Sequence, residues 1–285
     1  MLTKCLAIAA AVATAATAMQ VPDYGGYGFA NVWKETFDGG AGSSPNTDNW
    51  KIIESAHNQN NEFEQYINSR STSQLSGGST LQIVPINNNG QWQSARLESK
   101  FSYTPRDGSQ TLFEARIRFG SNSQANKQGL WPAFWLLGDS IRHGTPWPQC
   151  GEIDILETVN GVTQGFGTIH CDTAPGGICN EYQGIGGSTG FGDNDWHLWR
   201  VNIDRRKDWT NEAIIFSKDG QEYFRITGGR IGNQGVWNSL VASPLFVILN
   251  VAVGGNWPGA PNGATLGSWG SEMEVAYVAI YDNPF

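Results

Sequence analysis

Charge is scarce in this 285-residue chain: Asp, Glu, Lys and Arg make up 15% of it, and 26 acids against 18 bases give a formal net charge of −8. No block of Lys or Arg stands out, which argues against nucleic acid or an anionic membrane surface as a partner. Beyond the N-terminus no apolar run is long enough to span a bilayer, and the C-terminal "YDNPF" lacks the hydrophobic tail of a lipid-anchor signal. Cysteine is sparse too, at four residues without the paired short spacings of zinc sites. Convincing three-turn helical periods are nearly missing after the N-terminus, and no repeat or low-complexity spacer divides the chain.

What is present begins with Lys4, the apolar run "CLAIAAAVATAATA" and a small-residue "ATA" ending at Ala18. That order reads as a secretory signal over residues 1–19, so the expected product is secreted and soluble, with residues 20–285 as one domain. Cys5 would leave with the signal, and Cys150, Cys171 and Cys179 would remain. Cys171 and Cys179 flank the turn-rich "DTAPGGI" and read as a disulfide-closed loop, with Cys150 left as a free thiol.

The 36 Gly and 12 Trp point to many turns and broad aromatic surfaces. "TLFEARIRFG" (111–120) alternates, with Phe113, Ala115, Ile117 and Phe119 on one face and Glu114, Arg116 and Arg118 on the other. "AIIFSKDGQEYFRI" (213–226) reads as a hairpin turning at Lys218, Asp219 and Gly220. "SPLFVILNVAV" (243–253) and "MEVAYVAIY" (273–281) are apolar on both faces, as central strands of a two-sheet sandwich would be. The expected fold is all-β, a two-sheet sandwich.

Into this apolar background "WPQCGEIDILETVNG" (147–161) sets Glu152, Asp154 and Glu157, and ionised groups in such a run are costly unless something pairs or uses them. Residues i, i+2 and i+4 of a regular strand share a face, so Glu152 and Asp154 agree while Glu157, at i+5, points away. If all three act together, one extra residue must form a β-bulge between Asp154 and Glu157, with Ile153 and Ile155 buried beneath. Two glutamates so placed fit the roughly 5–5.5 Å carboxyl separation of retaining glycosidases, one as nucleophile and one as acid/base. A third carboxylate between them would hydrogen-bond the nucleophile and raise the pKa of the acid. Spacing alone leaves a calcium site or a solvated acidic strand open as alternatives.

"GEIDILE" resembles the bulged Glu-x-Asp-x-x-Glu signature of glycoside hydrolase family 16, in the form that goes with laminarinase-type enzymes. "NNEFEQYINSR" (60–70), "SARLESK" (94–100), "GLWPAFWLLGD" (129–139), "GTIH" (167–170) and "LNVAVGGNWPG" (249–259) resemble laminarinase blocks in the same order. The resemblance implies a β-jelly roll with an open concave cleft, Glu152 as nucleophile, Glu157 as acid/base and Asp154 as the assisting carboxylate.

Sugar C–H faces stack on aromatic rings, which makes Trp131, Trp135, Trp147 and Trp257 candidate subsite platforms, although Trp131 and Trp135 share strand parity and either would also suit the core. The match places His170 beside the carboxylates, where it would bond Asp154 or substrate, and places Asn61 and Arg70 on the glycone side of the cleft. Arg96 reads equally as solvated or structural and stays outside the expected site, and Glu62 and Glu64 read as readily as surface charges. No cofactor is required on this reading. A structural calcium is in doubt, because the last strand reads "VAYVAIY", with Ala276 where the family pattern has an acid, and only Asp282 or Asp38 is at hand to substitute. The implied partner is a neutral β-glucan, met by a monomer.

Several functions compete. The leading one is endo-hydrolysis of β-1,3-linked or mixed β-1,3/1,4-glucan with retention. Another β-linked polymer such as β-1,3-galactan is the second, because the loop 171–196 does not resemble laminarinase blocks and lies where it would line the cleft. Cell-wall transglycosylation and noncatalytic glucan binding follow, the latter disfavoured because all three acids are present.

Overall fold

The computed structural model describes residues 19–54 and 59–284. Residues 1–18 of the expected signal, with Lys4, Cys5 and Ala18, lie outside them, and its last residue, Met19, lies within them. Alternation and turn chemistry act locally as expected: Ala213–Lys218 and Gln221–Thr227 form a hairpin whose two turn residues, Asp219 and Gly220, have φ of 50° and 81°. Positive φ at both central positions matches the right-handed twist of the flanking strands, and Gly220 takes it without a Cβ penalty.

Two large sheets face one another. The first runs, from edge to edge, Ile185–Gly190, Gln164–His170, Glu152–Glu157, Leu130–Gly138, Leu245–Val253, Arg96–Tyr103 and Trp50–Ile52, with every neighbour antiparallel. The second runs Gln221–Thr227, Ala213–Lys218, His197–Asp204, Gln110–Phe119, Met273–Asn283, Leu81–Ile83 and Ser73–Leu75, with Ala30–Glu35 also paired to Met273–Asn283. A small third sheet joins Glu64–Tyr66, Gln91–Ser94 and Ile86–Asn88. Two short helices, Gly228–Ile231 and Gln234–Val241, are capped by the side chains of Thr227 and Asn233. No helix among the described residues is long and apolar enough to cross a membrane.

One continuous apolar cluster fills the space between the large sheets, with Phe113, Ala115 and Ile117 from one and Leu136, Ile153, Leu249 and Val251 from the other all fully covered. Each such aliphatic or aromatic side chain contributes roughly 1.5–3 kcal/mol on burial. The strands Leu245–Val253 and Met273–Asn283 are buried along almost their whole length, as their two-faced apolarity requires.

The outer face of the second sheet departs from simple alternation. Glu114 is fully buried rather than solvated, because residues 19–29 lie across that face, where Met19, Val21, Tyr24 and Phe29 pack on Leu112, Tyr277 and Tyr281. The carboxylate accepts from Arg200 Nε at 2.8 Å and from the Tyr277 hydroxyl at 3.1 Å, and Arg200 also lies over the Tyr24 ring. Burial pushes the Glu114 carboxyl up, and the Arg200 guanidinium opposes that rise.

Cys171 and Cys179 form a disulfide with Cα atoms 5.4 Å apart, and Cys150 is buried and free. Burial and the nearby Glu152 push the Cys150 thiol up to about 12, which leaves it protonated and unreactive.

Candidate active site

The carboxylate strand sits in the middle of the first sheet, between Leu130–Gly138 and Gln164–His170. Its register slips on both sides. Against one neighbour Asp154 faces Thr168 and Glu157 faces Phe166, and against the other Asp154 faces Trp135 and Leu156 faces Phe134. Ile155 is the extra residue, so the strand bulges where the acid spacing required it. Ile153, Ile155 and Leu156 are buried in the core, while Glu152, Asp154 and Glu157 line one cleft of about 380 Å³.

Indole donors hold the two glutamates. Trp131 Nε1 donates to Glu157 Oε1 at 2.8 Å, and Trp147 Nε1 donates to Glu152 Oε2 at 3.2 Å. His170, directly opposite Glu152 across the ladder, places Nε2 at 3.4 Å from Asp154 Oδ2 and 4.0 Å from Glu152 Oε1. Its other nitrogen, Nδ1, is 2.6 Å from Glu181 Oε2.

Burial dominates the electrostatics. It raises the carboxyl of Glu152, and it raises that of Asp154 well above the usual range with help from the charges of Glu157 and Glu152. Glu157 is pushed up to about 7 by burial, held back by the Trp131 hydrogen bond. Burial works against the His170 imidazolium, but the bond to Glu181 and the charge of Glu152 outweigh it, and the net shift is upward. The strand therefore offers a carboxyl that stays protonated near neutral pH beside one that an adjacent cation helps to ionise, the pairing that acid/base and nucleophilic roles need.

Both Trp131 and Trp135 face the cleft, so shared parity puts them together in the site and neither in the core. Trp135 is fixed by its Nε1 bond to Asn250 Oδ1 at 2.7 Å, and Trp147 also lines the cleft. Trp257 is 43% exposed at the cleft margin, edge-on to Trp131 at 5.5 Å and to Phe166 at 5.2 Å. Asn61 donates to Asn256 Oδ1 at 2.7 Å, while its neighbours Asn60 and Glu62 line the cleft. Arg70 is exposed on the turn between Glu64–Tyr66 and Ser73–Leu75, away from the cleft lining.

Arg96, left outside the expected site, does line the cleft. Its guanidinium lies 4.8 Å over the Trp135 ring and pairs with Glu98 at 2.8 Å. Glu62 and Glu64 are not surface charges either. Glu62 lines the cleft, and Glu64 is fully buried, accepts the Val253 backbone N–H at 2.6 Å and is pushed up to about 9 by burial and the adjacent Glu62. Glu181 and Tyr182 come from the loop 171–196, which does reach the cleft: Tyr182 stacks on Trp147 with ring centroids 6.0 Å apart. Alternation on the Arg96 strand and the "NNEFE" parity were the available signals for Arg96 and Glu62; nothing in the loop marked Glu181.

As for a structural metal, Ala276 offers no donor and Asp282 does not fit the part. The Asp282 carboxylate accepts from Arg106, from Ser109 Oγ at 3.0 Å and from Thr111 Oγ1 at 3.1 Å, so its oxygens are spent on protein donors beside a guanidinium. Asp38 is exposed and accepts from Thr36 Oγ1 at 2.6 Å.

Residues 48–189 match the family model described as "XgeA-like, catalytic GH16 domain". The fold is similar to the crystal structure of an endo-1,3-beta-glucanase from Streptomyces sioyaensis, with a TM-score of 0.85 and 35% identity over 93% of this chain and 99% of that one. Among curated proteins, the chain is 28% identical to a beta-glucanase from Rhodothermus marinus over 88% of its own length and 84% of that protein's. It is 29% identical to the clotting factor G alpha subunit of Tachypleus tridentatus over 79% of its own length but spans only 30% of that longer protein.

Proposed function

The chain belongs to glycoside hydrolase family 16, and from that membership and the cleft just described we propose that it is a secreted endo-hydrolase of β-1,3-linked glucan, mixed β-1,3/1,4-glucan included, acting with retention of configuration. The supporting observation is the bulge at Ile155, which turns Glu157 onto the face of Glu152 and Asp154. Glu152 is the nucleophile. Its carboxylate attacks the anomeric carbon while protonated Glu157 gives its proton to the leaving glycosidic oxygen. Glu157, now a base, then takes a proton from the water that displaces Glu152 from the glycosyl-enzyme. Asp154 sits between them as the assisting carboxyl, its own pKa raised well above the usual range by burial and by the charges of Glu157 and Glu152.

The indoles of Trp131, Trp135 and Trp147 give the sugar rings flat apolar faces, and Arg96, Asn60 and Asn250 supply polar contacts to hydroxyls. A neutral glucan suits a cleft whose wall carries several acids. Secretion rests on the N-terminal run from Lys4 to Ala18 and on the disulfide, a bond that persists in oxidising compartments.

The test is product analysis of the purified protein and of Glu152→Gln on laminarin, mixed-linkage β-glucan and β-1,3-galactan, with the anomer of the first-formed products followed by NMR. Oligosaccharides released from laminarin as the β-anomer, and lost in the variant, are expected. Products from galactan alone would overturn the substrate, and α-anomers would overturn retention.

A further inference from the structure

One buried carboxylate beside the site has no part in the reaction just described. Glu181 follows the disulfide-closed loop, and its side chain is wholly buried. Oε1 accepts the Cys171 backbone N–H at 2.8 Å, and Oε2 lies 2.6 Å from His170 Nδ1. The backbones of Glu181 and Gly176 pair across the same loop. One oxygen thus ties the loop to the end of the His170 strand and the other grips the imidazole.

A carboxylate on Nδ1 fixes that nitrogen as an N–H and orients the ring. Nε2 is then turned toward the carboxylate strand, 3.4 Å from Asp154 Oδ2 and 4.0 Å from Glu152 Oε1. Asp154 Oδ2 is buried and has no hydrogen-bond partner among the described residues, so Nε2 is the polar neighbour it faces. Trp147 lies against the imidazole at 5.6 Å, and its own stacking on Tyr182 ties this contact to the residue after Glu181.

We propose that Glu181 is a positioning residue for the hydrolysis: it holds His170 as a cation with the Nε2 proton aimed at Asp154 and Glu152, and the Cys171–Cys179 disulfide keeps Glu181 in place. The proposal rests on the roles assigned above to Glu152 and Glu157. Several acids crowd one buried cleft, and a fixed positive charge among them lets Glu152 remain ionised without stripping Glu157 of its proton. The groups facing His170 are Glu152, Asp154, Glu157 and Glu181, with Arg96 acting on Glu152 from the far side.

Steady-state kinetics and thermal melting of wild type, Glu181→Gln and the double variant Cys171→Ser/Cys179→Ser test this, with Glu152→Gln as control. A glutamine keeps an acceptor for the Cys171 N–H but turns an NH₂ group toward Nδ1, which forces the other tautomer and a neutral ring. For Glu181→Gln the expected result is kcat down about 10–100-fold, the range for outer partners of a functional His. KM should stay within about twofold and melting should be near wild type. The pH profile should move as well. The imidazolium lowers both Glu152 and Glu157, and for Glu152 it outweighs the opposing charge of Glu181, so its loss shifts both limbs to higher pH. The double variant should show the same kcat loss with a lower melting temperature.

Wild-type kcat and an unmoved pH profile in Glu181→Gln would overturn the proposal, as would a loss of activity that only follows a loss of folded protein. Full kcat in the double variant would overturn the part given to the disulfide. An active Glu152→Gln would instead overturn the underlying assignment, which separates the two failures.

Discussion

The indole N–H of Trp131 donates to Glu157 Oε1 at 2.8 Å, and this bond, ahead of the His170 charge, opposes the burial that pushes the Glu157 carboxyl up to about 7. A donor aimed at a carboxylate favours its charged form, so Trp131 limits how far toward alkaline pH the acid keeps its proton.

Trp131→Phe keeps an aromatic face for the sugar and removes that donor. The acid works only while protonated, so activity is lost as pH rises through the Glu157 pKa. Without the donor that pKa rises further, and the alkaline limb of kcat should move to higher pH by a few tenths of a unit to about one unit, an effect of at most about 1.4 kcal/mol. The acid limb should stay put. A pH–rate profile in which the alkaline limb is unmoved would dissociate Trp131 from the acid.

Glu64 offers a stability test away from the chemistry. Burial, with the charge of Glu62, raises its carboxyl from an ordinary value near 4.5 to about 9. A group raised on folding contributes stability that is full below its unfolded pKa and lost as pH climbs toward the folded one. Wild-type stability should therefore fall between about pH 5 and pH 9, by up to about 6 kcal/mol for this group. Glu64→Gln keeps an oxygen for the Val253 N–H and should flatten that fall, gaining on wild type at pH 8 and matching it at pH 5 in urea unfolding. A gain independent of pH would dismiss the titration of Glu64 as its cause.

On the opposite sheet, Arg200→Leu should cost about 3–5 kcal/mol near neutral pH, because it leaves the fully buried Glu114 without its cation. Adding Glu114→Gln should recover much of the loss. Denaturant midpoints of the two single variants and the double variant measure it, and additive losses would disprove the coupling.

The bulge was legible in the residue spacing because strand geometry has a strict period of two: acids at i, i+2 and i+5 share a face only if one residue is extra. The disulfide and the hairpin at Asp219–Gly220 were legible for similarly local reasons. Glu181 was not, since its value comes from a loop folding back so that a residue ten positions on meets Cys171 and His170. The burial of Glu114 was not legible either, because alternation reports which side a residue faces and not whether another segment covers that side. Arg70 and Arg96 could not be told apart by residue type; the register of Arg96 opposite Asn250 is what brings it onto the cleft.

Residues 19–29 are fastened to the sheet that backs the cleft sheet, through Tyr24 on Tyr281 and the Tyr281 hydroxyl on the Pro22 carbonyl at 2.8 Å. A polymer threading past Glu152 and Glu157 runs over the other sheet from this segment. Anchoring the protein to a bead through an exposed position in this segment, such as Tyr27, would leave its working side facing outward, open to a substrate much larger than itself.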